Sequence, residues 1–439
     1  LIKGDCNKAA NPSTSVNICV TGLGFVGWGG GLDFIRLILD GLTYLPSQPP
    51  IPLLLPRKSA KTVLRDIARN AWQAVQSARR GQRPKIAASS LPVPDLLADY
   101  FADYGADIRL GFYSDSRSGL LRLAASENAT VLLPVCGTLG RDFPLPWVGY
   151  VYDFQHKHLP QYFTASERKR RDIWFESVLS DAPLVLVNAA TVRDDVARYF
   201  PQFVSKVRVL PFAPCLRPEW LDLDAAAARE ALQLEEGYFM VCNQFWLHKD
   251  HATALRGFAK YIERTGETGR LLVCTGEMHD PRQPDYANKL RCICEDLGIS
   301  HRVRFLGRLP KSEQIALLRD ADALIQPTLF EGGPGGGASY DAIAVGTPVI
   351  ASDIPVNREM DCGDLRFFQA GSGDALGRLL AEHVARNPVR PTALELQTQT
   401  AVRLSLLGSA LTKVAEEACR IYRRGSAPTS GDVKASPGL

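Results

Sequence analysis

The chain has 439 residues, of which 46% are apolar and 22% charged, and a formal net charge of +4. That length accommodates two or three domains, and so small a positive balance argues against nucleic acid as a partner while permitting peripheral contact with an anionic membrane surface. No apolar run reaches the length of a membrane span, the opening residues carry no apolar signal core, and the ten scattered cysteines read as free thiols of a reducing, cytoplasmic compartment. The chain begins with Leu1, which is compatible with a part of a longer polypeptide.

Residues 1–15 read as a disordered lead. A buried strand is expected over 16–21, followed by Gly22-Leu23-Gly24-Phe25-Val26-Gly27 and then by Trp28-Gly29-Gly30-Gly31. The first three glycines have the spacing of a dinucleotide fingerprint. Three further glycines where a helix should be under way weaken that reading, because glycine disfavours the first helical turn. The next strand, 51–55, ends at Pro56-Arg57-Lys58 with no acid for a ribose hydroxyl, which leaves an NADP-dependent oxidoreductase as one reading. The others are a tight turn without a ligand, and a glycine loop that places Gly30 and Gly31 over a substrate cleft. A helix over 32–42 should follow.

Helices are then expected over 60–79, 164–179 and 191–199, with Thr164 or Ser166 capping the second. Strands are expected over 85–88, 131–134, 147–152, 184–187 and 207–210. The strand at 147–152 runs into Asp153-Phe154-Gln155-His156-Lys157-His158. A proline-rich segment, 211–218, is the best domain boundary. The second series has strands at 238–242, 271–274, 303–306 and 323–325, with helices at 252–264, 286–297 and 312–319. Helices over 374–386 and 394–422 close the chain, and a Ser/Gly/Pro-rich tail from 425 reads as disordered. Regular alternation of strand and helix implies parallel doubly wound sheets, whose ligands lie at the carboxyl ends of the strands.

The densest chemistry lies between Pro327 and Asp353. An apolar strand ends, a glycine-rich loop from Gly332 to Gly337 follows, and a helical pattern begins. A glycine loop at a helix N-terminus presents backbone N–H groups to a phosphate. Glu331 and Asp341 flank it, and carboxylates accept hydrogen bonds from sugar hydroxyls. A phosphate cradle between two such acceptors suits a nucleotide sugar.

These residues resemble the GT-B fold glycosyltransferases of the family 4 type. That family carries a Glu, a second Glu eight positions on, and then Ala-x-Ala-x-Gly-x-Pro-Val. Glu331 fits the first acid, and Asp341-Ala342-Ile343-Ala344-Val345-Gly346-Thr347-Pro348-Val349 fits the second acid and its tail. The loop is two residues longer than the family pattern, and the second acid is Asp. The family also pairs an Arg with a Lys five positions later; Lys249 matches the Lys, and Gln244 stands in place of the Arg. Asp-x-Gln-His at 153–156, followed by a Pro and a Phe, is similar to a mannosyltransferase-like subgroup.

The resemblance implies two Rossmann-like domains facing across a cleft, an acceptor-side domain at 16–212 and a nucleotide-sugar-binding domain at 213–395, with a helix at 396–424 crossing back. It implies retention of anomeric configuration, no obligatory metal and no cofactor beyond a GDP- or UDP-linked donor. Glu331 would contact the donor sugar, Asp341 the ribose, and Gln244, Lys249 and the N–H groups of Gly335, Gly336 and Gly337 the diphosphate. Asp153 and His156 would handle the acceptor hydroxyl. The acceptor would be a glycan or lipid-linked glycan of surface or exopolysaccharide synthesis, made at the inner face of a membrane, with mannose as the favoured sugar. Three alternatives remain: a sugar-nucleotide epimerase on the same fold, a non-catalytic glycan-binding or regulatory subunit suggested by Gln244 and the altered spacing, and the oxidoreductase above. The Asp-x-Asp at 222–224 reads as a helix cap rather than a metal site.

Overall fold

The computed structural model describes residues 16–57, apart from 28, 47 and 48, and 94–426, apart from 281. The expected helix at 60–79, the expected strand at 85–88 and most of both termini lie outside these residues.

Short runs of β-branched and apolar residues make the strands, and most are buried on both faces, as in a sheet covered by helices on both sides. Ile18–Thr21 (β1), Ile51–Arg57 (β2), Ile108–Ser114 (β3), Val131–Val135 (β4), Trp147–Tyr150 (β5), Leu184–Val187 (β6) and Val207–Val209 (β7) form one sheet of order β3-β2-β1-β4-β5-β6-β7. Tyr238–Cys242 (β8), Leu271–Thr275 (β9), Val303–Gly307 (β10), Ala323–Gln326 (β11), Val349–Ser352 (β12) and Leu365–Phe368 (β13) form a second, of order β10-β9-β8-β11-β12-β13. All pairings are parallel, with Val20 opposite Leu133 in the first sheet and Leu324 opposite Met240 in the second. In each sheet the strand order reverses once, at β1/β4 and at β8/β11. These switch points open a crevice at the carboxyl ends of the strands.

One finding differs from the sequence reading. Gly29–Gly31 is not a loop but the first turn of the Gly29–Thr43 helix. Phe34, Ile35, Ile38, Leu39 and Leu42 bury one face of that helix, and this tertiary burial overrides the low propensity of the glycines. Gly30 is exposed and Gly31 buried at its start. The preceding Gly24, at φ +81°, has no room for a side chain, because a Cβ would collide with the Cys136 carbonyl at the end of β4. That glycine has a packing reason of its own.

The Ala393–Ser426 helix begins on the second domain, where Leu396 joins its core, and ends on the first. Leu407, Leu411, Val414, Ala415, Ala418 and Cys419 belong to the core under β1, β2 and β4. Each fully buried leucine contributes about 1.5–3 kcal/mol. The helix crosses Gly29–Thr43 where Gly408 meets Gly41, so closely that a Cβ on Gly408 would strike the Gly41 carbonyl. The proline-rich connection is packed: Ala213 joins the first domain's core, Leu216 the second's, and Arg217 pairs with Asp40 at 2.9 Å and Asp103 at 3.2 Å.

Candidate active site

Two segments converge at the β8/β11 switch point. The chain leaving β8 turns through Asn243 and Gln244 into a short 3-10 turn, Leu247–Lys249, before the His251–Thr265 helix. The chain leaving β11 passes through Glu331 and the glycines into the Gly336–Ala344 helix. Lys249 Nζ donates to Glu331 Oε1 at 2.5 Å, with side chains only 13% and 9% exposed. An ion pair so nearly dry adds little net stability, since desolvation offsets its attraction. It concentrates a positive and a negative charge where a ligand can use both.

Gln326, at the end of β11, sets the shape of this loop. It is fully buried, accepts from Asn243 Nδ2 at 2.5 Å, and donates to the Gly335 carbonyl at 2.5 Å and to Glu331 Oε1 at 3.3 Å. Gly335 has φ +65°, the left-handed region that an L side chain rarely adopts, and is the cap residue of the Gly336–Ala344 helix. A Cβ on Gly336 would lie 3.0 Å from the Glu331 carboxylate, so that carboxylate sits against the positive end of the helix. Gly337 faces open space.

Asp341 is buried one turn further on, and Lys311 Nζ donates to its Oδ2 at 2.6 Å. Burial raises the Asp341 carboxyl above the ordinary carboxylate range, and Lys311 opposes that rise. Gln244 is exposed, and its side chain makes no hydrogen bond among the described residues.

The first domain supplies the opposite wall. Arg171, on the Ala165–Asp181 helix, donates to Asp153 Oδ1 at 2.6 Å and to His156 Nδ1 at 3.3 Å. The same Asp153 oxygen accepts from the Gln155 N–H at 3.0 Å. Because His156 Nδ1 accepts from Arg171, its Nε2 carries the proton and donates to Asp172 at 2.8 Å. Burial pushes the His156 imidazole down, which favours this neutral form. Burial raises the Asp153 carboxyl, opposed first by Arg171 and also by Lys249 across the cleft. Arg171, Asp153, Lys249 and Glu331 thus alternate in charge from one domain to the other.

The walls are in contact. A Cβ on Gly332 would collide with the Tyr152 carbonyl, and the Phe330 ring lies 5.3 Å from His158. Arg282 stacks over Trp246 of its own domain and Phe163 of the other, at 5.7 and 5.8 Å. Thr164 caps the Ala165–Asp181 helix through a capping box, and Asp224 caps Ala225–Ala231 by accepting from the Ala227 N–H at 3.0 Å. The structure therefore brings Asp153, Lys249, Glu331, Gly335–Gly337 and Asp341 to one cleft, whereas His156, expected at the acceptor hydroxyl, is fully buried behind Asp153 with both ring nitrogens engaged. Arg171, Lys311, Gln326 and Asn357, which accepts from the Gly335 N–H at 3.1 Å, join them without a motif of their own. The one local signal was Gln326, a polar residue closing an otherwise apolar strand.

Residues 224–374 match the model of the family described as glycosyl transferases group 1. The chain is 28% identical over 178 residues to the O-antigen chain mannosyltransferase RfbU of Salmonella typhimurium, covering 40% of this chain and 44% of that protein. It is 25% identical over 279 residues to a D-inositol 3-phosphate glycosyltransferase of Corynebacterium jeikeium, covering 60% and 64%. The chain thus spans less than two thirds of these relatives. Among solved structures, a sucrose-phosphate synthase from Thermosynechococcus elongatus superposes with a TM-score of 0.55 at 16% identity, over 93% of this chain and 99% of that one. Anabaena HepE in complex with UDP and glucose superposes with a TM-score of 0.53 at 14% identity, over 93% and 98%. The architecture is the two-domain GT-B fold.

Proposed function

We propose that this chain is a retaining glycosyltransferase that moves a sugar, mannose by preference, from a nucleotide-sugar donor to a glycan or lipid-linked glycan acceptor of surface polysaccharide synthesis. The observation that carries the reading is the Lys249–Glu331 pair at the switch point of the second sheet, facing Asp153 across the cleft. The family match at 224–374 and the mannosyltransferase relative support it.

The donor lies on the second domain. Its diphosphate meets Lys249 and the N–H groups of Gly335–Gly337, and its ribose hydroxyls meet Asp341, oriented by Lys311. Glu331, released from Lys249 when the diphosphate takes its place, holds the sugar hydroxyls. The bond from C1 to the β-phosphate oxygen breaks, and its electron pair leaves with the diphosphate. The acceptor oxygen bonds to C1 on the same face, and its proton passes to Asp153. The raised affinity of Asp153 for a proton makes it a better base near neutrality. His156 is engaged at both nitrogens and keeps Arg171 on Asp153.

A thermal-shift panel with GDP, UDP, ADP and NADPH tests this. A nucleoside diphosphate at a hundredfold its dissociation constant should stabilise the protein by about 2.7 kcal/mol. A response to NADPH alone would sink the reading in favour of an oxidoreductase.

A further inference from the structure

One short segment of the second domain is built into the first. The 3-10 turn Pro355–Glu359 follows β12. Val356, on this turn, is buried in the first domain's core beside residues of β5, β6 and the Ala190–Tyr199 helix, and Ile354 packs against the same cluster.

That helix has an unusual start. Its cap residue is Ala189, which has no side-chain acceptor, and its first turn holds no acid. The leading N–H groups of a helix need partners from outside it. Glu359 supplies them from the other domain. Its Oε2 accepts from the Ala190 N–H at 2.6 Å, and its Oε1 accepts from the Thr191 N–H at 2.8 Å and from the Thr191 hydroxyl. Two residues back, the fully buried Asn357 accepts from the Gly335 N–H at 3.1 Å and donates to the Ser352 carbonyl at 2.9 Å. One turn thus caps a first-domain helix with one side chain and fixes the glycine loop of the second domain with another.

We propose that Glu359 is a positioning residue for sugar transfer, an interdomain cap that couples closure of the cleft to the shape of the Gly335–Gly337 loop. This rests on the transferase reading. When the first domain docks, Glu359 and Val356 seat on it, and the turn is then rigid where Asn357 holds Gly335. Glu359 itself touches neither nucleotide nor sugar, so it acts through Asn357. Without docking, the Ala190–Tyr199 helix loses its cap and the loop loses its brace.

The test uses the full chain with Glu359→Ala, Glu359→Gln and Ala189→Ser. Small-angle scattering reads closure, calorimetry reads nucleoside diphosphate affinity, and steady-state kinetics read kcat and KM. Glu359→Ala should enlarge the radius of gyration and lower kcat about tenfold or more, the scale of a charge lost from a helix N-terminus. Nucleotide affinity should fall by a smaller factor than kcat, because the nucleotide lies on the second domain and loses only the brace on its loop. Glu359→Gln, which keeps one acceptor and loses the charge, should fall between. Ala189→Ser gives the helix a cap of its own in a backbone conformation suited to one. It should leave folding intact or improved, yet compete with Glu359, open the cleft and lower kcat. A merely structural Glu359 predicts no loss from Ala189→Ser. Unchanged scattering and kcat in that variant, or equal losses of kcat and nucleotide affinity in Glu359→Gln, would overturn the proposal. If the parent protein turns over no nucleotide sugar, the transferase reading fails, while the scattering comparison still decides whether Glu359 closes the cleft.

Discussion

On the proposed reading Lys249 meets the leaving diphosphate, and its surroundings are nearly dry. Electrostatic stabilisation in such a site is worth far more than in water, and loss of one comparable donor costs about 10²–10³ in turnover. Lys249→Ala should therefore lower kcat by about that factor while weakening nucleotide binding much less, which single-turnover kinetics and calorimetry would separate. Two residues on, His251 makes a different prediction. Its ring stacks on Phe245 at 4.3 Å and is fully buried. Burial, and then the charge of Lys249, push its imidazole down to about 3 from the ordinary 6.5. Below pH 6.5 the unfolded chain takes up a proton that the folded protein refuses. The stabilising effect is thus complete above that pH and lost as pH falls toward 3, about 2 kcal/mol of it by pH 5. His251→Phe should remove that part of the acid slope, measured by denaturant unfolding at pH 7 and pH 5. Lys249, Glu331 and Asp153 could be picked from the sequence because their motifs are local. Arg171, Lys311 and Asn357 could not, because each is an ordinary helix or turn residue until the fold sets it against a carboxylate or a glycine N–H.

At the scale of elements, the stretch from β11 through the glycine loop and the Gly336–Ala344 helix to β12 is the arrangement expected from its glycine punctuation. Its weak point is Gly335. A Cβ there would demand the left-handed region and would collide with Met360 and Ser339. Gly335→Ala should displace the loop and weaken nucleotide binding about tenfold or more, with far-ultraviolet circular dichroism unchanged. Two strands that escaped sequence reading share a physical cause. β3 and β13 are the edges of their sheets, and only two of seven and one of four of their residues are buried. An edge strand half open to solvent has neither the continuous apolar run of a central strand nor strict alternation. The glycines at 29–31 mislead in the opposite sense, since the helix they begin is fixed by the apolar face that follows them.

At the scale of the whole molecule, the domains are joined twice, through the packed segment around Arg217 and through the Ala393–Ser426 helix. The second junction depends on the contact between Gly408 and Gly41. Gly408→Leu should force the two helices apart and cost about 1–3 kcal/mol or more, seen by calorimetry as earlier unfolding of the first domain than of the second. The same helix has a consequence for synthesis. The strands of the first domain leave the ribosome well before Leu407, Leu411 and Val414 do, and the second domain is made in between. At ordinary translation rates the apolar face under β1, β2 and β4 stays uncovered for on the order of ten seconds, while its neighbour completes a core of its own. The domain made first is thus the one finished last, and nascent chains of this protein should depend on chaperone cover over that face rather than over the second domain.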